Sequence, residues 1–471
     1  MKKNTNKQSI LHFTLFFLII FTTGFLNAYI YKKPDHSLGN ASKTRGTLPS
    51  SKPCYAISGR LKSLQQAVVD CCTDLTTEID QVISKAQSIL PCNQYFSIAQ
   101  TDIPLTISSS GNYCLSENIL TLTPNVAITI DADDVTIDLN GFSISGGSTL
   151  LQTTTGHRNI TISNGSLENA EPNGTADGYG LFVNGSTTVE LNNVIISGNL
   201  VGVLFVDTNG IKINSCNVLQ NSGAGIVFSN SSSGVIQETL IVDNVFTSSF
   251  ELPGGLIESP NACLITSSSG LTFIETQFSH NSSTVGAFDV VLLESSSNCI
   301  FELCSASNNT SDGVGFKSSE TQAIIWLESQ ADNNSDGFII TTSSREIELA
   351  QCMATNNSSN GFMITGTSFA CHVVECAAYG NSGNGFEVSQ NSNNNILRRC
   401  SAIGNDNGFS VDATSSTVLF SNYTENNTQN YQVVTTDFTP TYTHIISSGT
   451  YGPVTPRLGN VTKWDNIDAS A

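Results

Sequence analysis

The sequence predicts an all-β solenoid: one chain wound into stacked rungs of parallel strands, with an α-helical segment ahead of it. Three observations carry this. Asparagine recurs at Asn199, Asn221, Asn244, Asn281, Asn309, Asn334, Asn357, Asn381, Asn405 and Asn427, mostly 22 to 25 residues apart. Ten, eight, five and three residues before each one, the chain is apolar or small, as in Ile211, Ile213, Cys216 and Val218, or Ile347, Leu349, Cys352 and Ala354. A few residues after it come Gly and an aromatic, as in Gly361-Phe362, Gly385-Phe386 and Gly408-Phe409.

A spacing of two within each apolar pair is strand alternation, and the extra residue between pairs marks a bend. A unit this short cannot bury its own apolar face, so each copy must stack on the next and share one continuous core. Parallel register then places Phe316, Phe338, Phe362, Phe386, Phe409 and Tyr431 in one inward column, about 4.8 Å per step. Asparagine suits the turn because it tolerates a left-handed backbone, and amides stacked along an axis can bond one to the next. The Asn244-to-Asn281 gap of 37 residues and the Asn281-to-Asn309 gap of 28 hold insertions. The first carries Phe246, Phe250, Pro253, Gly254 and Gly255, and a long loop on a uniform rod is where function tends to gather.

The text of the rungs, Asn-Asn-Ser-Asp-Gly-Phe (333–338), Asn-Asn-Ser-Ser-Asn-Gly-Phe (356–362) and Gly-Asn-Ser-Gly-Asn-Gly-Phe (380–386), resembles the right-handed parallel β-helix repeat proteins of the pectin-lyase-like superfamily, including its bacterial carbohydrate-binding and sugar-hydrolase repeat group. The likeness runs over roughly residues 100 to 435 and implies a single-stranded right-handed parallel β-helix. It is specific for fold and says little of function, since that superfamily includes hydrolases, lyases, isomerases, adhesins and accessory proteins.

The rest of the chain divides around the coil. Lys2, Lys3 and Lys7 precede an apolar run from Leu11 to Phe25 and then Leu26-Asn27-Ala28, the layout of a secretory signal peptide or, uncleaved, of a membrane anchor at residues 1–28. Residues 29–57 read as a linker. Residues 58–92 carry Leu61, Leu64, Val68, Cys71, Leu75, Ile79, Val82, Ala86 and Ile89 at helical spacing before Pro91. That helix is either a cap on the open end of the solenoid or a short coiled coil that makes the protein oligomeric. The β-helix is expected over 93–435, and 436–471 is a C-terminal cap or tail.

Charged residues are only 12% and the net charge is −20, which argues against nucleic acid and anionic membrane surfaces as partners. Any membrane contact falls to the N-terminal segment. Of 13 cysteines, Cys216, Cys304, Cys352, Cys376 and Cys400 share one inward slot, and Cys299 and Cys371 share another. Core filling suits them, with a Cys352–Cys376 disulfide within reach of adjacent rungs. Cys54, Cys71, Cys72 and Cys92 are better placed for local disulfides. No Cys-x-x-Cys pair suggests zinc.

Chemistry is harder to find. The resemblance implies that a lyase would bring a basic proton abstractor and further cations against a uronate, and residues 101–344 hold only Arg158, Lys212 and Lys317. A glycosidase needs two carboxylates on one face. Glu238, Glu275, Glu328 and Glu375 stand six residues before the repeated Asn, with Glu328 and Glu375 two rungs apart, yet a solvated bend accepts such residues and Glu375 can pair with Arg399. Asp131, Asp133, Asp134 and Asp138 could gather oxygen ligands for calcium, or simply make a turn, as Asp312 and Asp336 do before Gly. His157, His280 and His372 occupy different slots. The paired-Asp and His-Gly marks of the polygalacturonase branch are absent, as are Gly-x-Ser-x-Gly and a phosphate loop. The sequence therefore assigns no catalytic, cofactor-binding or metal-binding residue. It reads as an exported, noncatalytic β-helix, secreted or in the cell envelope, that binds a polysaccharide or surface glycan. The alternative is a glycoside hydrolase acting on a neutral polysaccharide through carboxylates on one face.

Overall fold

One rung shows how the chain builds the whole. Phe338–Thr341 forms a strand on the first face, Glu348–Ala350 one on the second and Met353–Thr355 one on the third, and Phe362 then begins the next turn on the first face. Fourteen such strands, from Leu105–Ile107 to Gln429–Val433, stack in parallel to make the first face. The other two faces join into one set, because Arg158–Glu168 and Thr187–Ser197 run unbroken through the corner between them. The computed structural model describes residues 95–121, 125–170, 178–247, 250–252, 256–258, 261–286, 288–309, 313–412, 415, 417–433, 445–446 and 466–468. The leader, linker and helical segment expected over 1–92 lie outside them, as does most of 436–471. Among the described residues there is no α-helix, only a 3₁₀ turn at Gln100–Asp102, and no helix long and apolar enough to cross a membrane.

Corners are made by single residues with left-handed backbone. Between the second and third faces this residue is Asn193, Ser215, Glu238, Glu275, Leu303, Glu328, Gln351, Glu375, Arg399 or Ser421, all with φ between 49° and 56°. At the corner from the third face back to the first, it is the residue before the repeated asparagine, for example Asn333 (φ 54°) or Asn356 (φ 53°). This corrects the expectation that the repeated asparagine itself turns the chain. The left-handed residue makes the turn, and the asparagine after it points inward and is buried.

Once inside, each amide joins a ladder. The N–H of Asn357 donates to Oδ1 of Asn381 at 3.0 Å, Nδ2 of Asn357 donates to the same oxygen at 2.9 Å, and Asn381 repeats both bonds to Asn405. Nδ2 of Asn381 also donates to the Ala354 carbonyl, 3.1 Å away. The aromatic column stands where expected: centroids from Phe316 through Phe338, Phe362, Phe386 and Phe409 to Tyr431 are 5.0, 5.1, 4.8, 4.8 and 5.4 Å apart, with rings near parallel. Gly361 precedes Phe362 because a Cβ there would stand 2.7 Å from the Gly385 carbonyl and 2.9 Å from Nδ2 of Asn381. The cysteines at 216, 263, 299, 304, 352, 371, 376 and 400 are buried free thiols, so Cys352 and Cys376 pack without a disulfide. Cys114 is disulfide-bonded.

Two features escape the repeat. Phe250–Leu252 and Leu256–Glu258, within the longest insertion, pair antiparallel in a coil whose other pairings are parallel. On the outer side of the first face, Leu204, Val227 and Leu264 alternate with the core residues Val203, Ile226 and Cys263 and form a second apolar cluster with Tyr179 and Val201.

Candidate functional site

The outer corner between the second and third faces carries the acidic column. Glu238, Glu275, Glu328 and Glu375 are all exposed there. Ser215 Oγ donates to Glu238 at 3.0 Å, Gln351 Nε2 donates to Glu375 at 3.3 Å, and Arg399 pairs with Glu375 at 3.0 Å. The Glu328–Glu375 pair is separated by the Gln351 rung, and Glu375 is tied to its neighbours along the axis.

The aspartates at 131 to 138 do not converge. Each bonds to the following rung: Asp134 accepts from Asn159 (2.6 Å), and Asp138 accepts from Asn164 (3.2 Å). His157 sets one ring nitrogen 3.1 Å from Asp133 and the other 3.3 Å from Asp131 and 2.9 Å from Thr154 Oγ, while Arg158 pairs with Asp133 at 3.2 Å. Thr154 Oγ donates to Asp131 at 2.6 Å. These bonds, from Thr154 and His157 first and then the His157 charge, hold Asp131 below the usual carboxylate range; His157 and Arg158 do the same for Asp133. Among the described residues no three His, Cys, Asp or Glu side chains are arranged to hold a metal ion. Sequence reasoning singled out these aspartates and His157 separately. Their offset of 24 to 26 residues, one rung, was the available signal. His280 and His372 are exposed on other slots.

The three cations weighed for an acidic sugar are each committed to a carboxylate: Arg158 to Asp133, Lys212 to Glu190 (2.6 Å) and Lys317 to Asp289 (2.9 Å). Asp289 is pushed up by burial, against the pull of Lys317.

The corner from the first face to the second is built differently and offers more. Two left-handed residues bracket it in each rung: Ser295 and Asn298, Glu320 and Ala323, Ser343 and Glu346, Thr367 and Ala370, Asn391 and Asn394. Between them one side chain turns in and one turns out. The inward one is always a small hydroxyl, Ser296, Thr321, Ser344, Ser368 or Ser392, and all are buried. Two of them cap the rung below: the N–H of Ser268 donates to Ser296 Oγ (3.1 Å) and that of Thr321 to Ser344 Oγ (3.2 Å). The outward residues Ser269, Ser297, Gln322, Arg345, Phe369 and Asn393 bridge one another in parallel, one per rung, as a ridge along the coil.

Beside the ridge lies a shallow cleft of about 220 Å³ lined by Ser295, Ser297, Glu320, Gln322, Ser343 and Arg345, with Ser296 and Thr321 at its base. Arg345 donates from Nη2 to Gln322 Oε1 (2.5 Å), Gln322 donates from Nε2 to Glu346 (2.9 Å), and Ser295 donates to Glu320 (3.3 Å). The Phe369 ring, 38% exposed, occupies the next ridge position after Arg345. Planar amide, guanidinium and carboxylate groups are thus lined up beside a partly exposed aromatic ring, a set that can bond hydroxyl groups and cover the apolar face of a sugar.

A coil of parallel strands on three faces, with left-handed residues at its corners, is a parallel β-helix. The family model described as right handed beta helix region matches residues 105–278 and 261–429, and the chain belongs to that family. Solved structures that the chain is similar to include the A-module of the mannuronan C-5 epimerase AlgE6 of Azotobacter vinelandii, at 12% identity, covering 69% of this chain and 88% of that one, with a TM-score of 0.43. A mannuronic acid specific polysaccharide family 6 lyase from human gut microbiota matches at 7% identity over 69% and 86%, TM-score 0.48. The pectate lyase Pel9A matches at 11% over 60% and 69%, TM-score 0.40. Comparison with curated proteins gave no match.

Proposed function

We propose that this protein is an exported, noncatalytic β-helix that binds a neutral glycan at the ridge between its first and second faces. The observation that supports this reading is the alignment of Gln322, Arg345 and exposed Phe369 along one corner beside a polar cleft. Glu320 lines the cleft with Arg345, and Glu346 accepts from Gln322 beside it, so two carboxylates to one guanidinium leave the local balance acidic and favour an uncharged sugar over a uronate. The chain's net charge of −20 works in the same direction. Export rests on the basic-then-apolar residues 1–28.

Titration of the full-length protein with a panel of neutral and uronate polysaccharides tests it. Neutral glycans bind, the Phe369→Ala/Arg345→Ala double variant loses that binding, and no new reducing ends appear on long incubation. Binding that survives the double variant overturns the site. Turnover that disappears with Glu328→Gln and Glu375→Gln establishes the glycosidase alternative instead. Fractionation of the expressing cells for the protein outside the cytoplasm checks export.

A further inference from the structure

We infer that the outer side of the second face, around Leu303, is a docking surface for a basic, amphipathic segment of a partner protein, a site separate from the glycan ridge. Strand register places its residues. Ile300 pairs with Ile325, and in the neighbouring outward column Ile274 is followed by Glu302 and then Leu327. Leu303 stands beside them at the corner into the third face and is 45% exposed. The four apolar side chains on the strands are partly exposed. Single apolar side chains scattered on a surface mean little, but these five are neighbours on three successive rungs, within about 10 Å along the coil.

Leu303 carries most of the argument. Its corner position has left-handed backbone (φ 54°) and is filled in other rungs by residues such as Asn193, Ser215, Glu275 and Gln351. That backbone favours asparagine and disfavours a bulky side chain, and a leucine pointing outward fills no space in the core. The fold gives no reason for leucine here, whereas contact with a partner does.

Charge complementarity names the partner. Glu275 and Glu328 flank Leu303 along the corner, one rung to either side, while Glu302 and Glu348 lie on the face itself. Among the described residues none of these four carboxylates belongs to an ion pair. The second-face strands Ser269–Ile274, Ile300–Glu302, Ile325–Leu327 and Glu348–Ala350 carry no Lys or Arg. Apolar side chains framed by uncompensated carboxylates suit a segment that mixes apolar residues with Lys or Arg, since the charges steer it in and the apolar contacts hold it. A second copy of this chain fits poorly, because 19 Lys and Arg against 39 Asp and Glu make two copies repel.

The test titrates the full-length protein with three short peptides, which alternate Lys with Leu, Lys with Ser, and Glu with Leu. The first should bind, the other two at least about tenfold more weakly, and its affinity should fall as salt is raised. Leu303→Ser should weaken the first peptide roughly fivefold to tenfold. Serine already fills this corner at Ser215 and Ser421, so that variant keeps the fold. Glu275→Gln combined with Glu328→Gln should weaken it by a similar factor at low salt and flatten the dependence on salt. Glu168→Gln, on the third face of an early rung, should change nothing. The site is overturned if the Lys and Ser peptide binds as tightly, if Leu303→Ser leaves the affinity untouched, or if the Lys and Leu peptide does not bind.

Discussion

Two corners of the same rung show how much repetition the physics demands. At the corner back to the first face the inward residue is asparagine in ten rungs, from Asn199 to Asn427. At the corner between the second and third faces the inward slot holds Val194, Cys216, Thr239, Thr276, Cys304, Ser329, Cys352, Cys376, Cys400 and Asn422. Both turns are made by one left-handed residue, so backbone shape does not explain the difference. Bonding does. The amide oxygen of Asn381 takes the N–H and Nδ2 of Asn357, while its own Nδ2 reaches the Ala354 carbonyl and Asn405. Only an amide both accepts and donates in that plane. The other slot takes varied fillers whose bonds range from weak, as with Cys376 Sγ and the Leu349 carbonyl at 3.4 Å, to ordinary, as where the Cys400 N–H donates to Asn422 Oδ1 at 2.9 Å.

The comparison breaks most visibly at the amide. Asn381→Ala leaves the Asn357 N–H and the Ala354 carbonyl without their partners in a dry interior. Stranding such groups costs about 1–3 kcal/mol each, so the two together cost roughly 2–6 kcal/mol. Urea unfolding should show this as a lower midpoint, and hydrogen exchange should speed up first in rungs 334–405. A loss below about 1 kcal/mol would mean that the ladder is filler like the other slot.

The acid limb of the stability curve sharpens the contrast between regular rungs and the Asp131–Asp133–His157 corner. Both carboxyls are held below their ordinary value in the folded chain. Their contribution is therefore full above the unfolded-state value near pH 4 and is lost as pH falls through the lower folded-state values. His157→Gln removes a bond that holds them down, so the variant should melt below wild type at neutral pH, and the gap should close as pH drops below about 4. A gap that widens under acid would reverse the sign and refute the assignment.

Cys376→Ser tests the tolerant slot. Serine already occupies it at Ser329, where Oγ donates to the Phe301 carbonyl (3.3 Å) and the Leu327 carbonyl (3.1 Å). The change should cost about 1 kcal/mol or less. The buried thiols should meanwhile resist a disulfide reagent in the folded protein, since burial pushes Cys216 and Cys299 up to about 11 and Cys304 and Cys371 up to about 12. They should react only after denaturation.

The same contrast explains what the sequence made legible. Repeated bonds leave repeated letters, so the asparagine, the four apolar offsets and the aromatic column could be read directly. The hydroxyl column thirteen residues before each asparagine, Ser231, Ser268, Ser296, Thr321, Ser344 and Ser368, repeats as strictly. It was hidden because Ser and Thr are common everywhere in the chain. The ridge could not be read at all: Ser297, Gln322, Arg345, Phe369 and Asn393 differ from rung to rung because nothing in the fold constrains an outward side chain. Their alignment exists only once the register is known. The Asp131–His157 contact was missed for a related reason, since it joins rungs in the irregular early part of the coil, ahead of the clearest repeats.

The outer acidic column closes the comparison with the smallest effect. Glu375 and Arg399 are 40% and 53% exposed, so their attraction is screened by water and offset by the ordering of two long side chains. Glu375→Gln keeps the shape and leaves a hydrogen-bonding partner for Arg399, so stability should move by less than about 0.5 kcal/mol in urea unfolding. Glycan binding at the ridge should not move, because Glu375 sits on the other corner of its rung. A drop in binding from this one substitution would shift the ligand from the ridge to the acidic column, where two carboxylates two rungs apart would again have to be weighed as a catalytic pair.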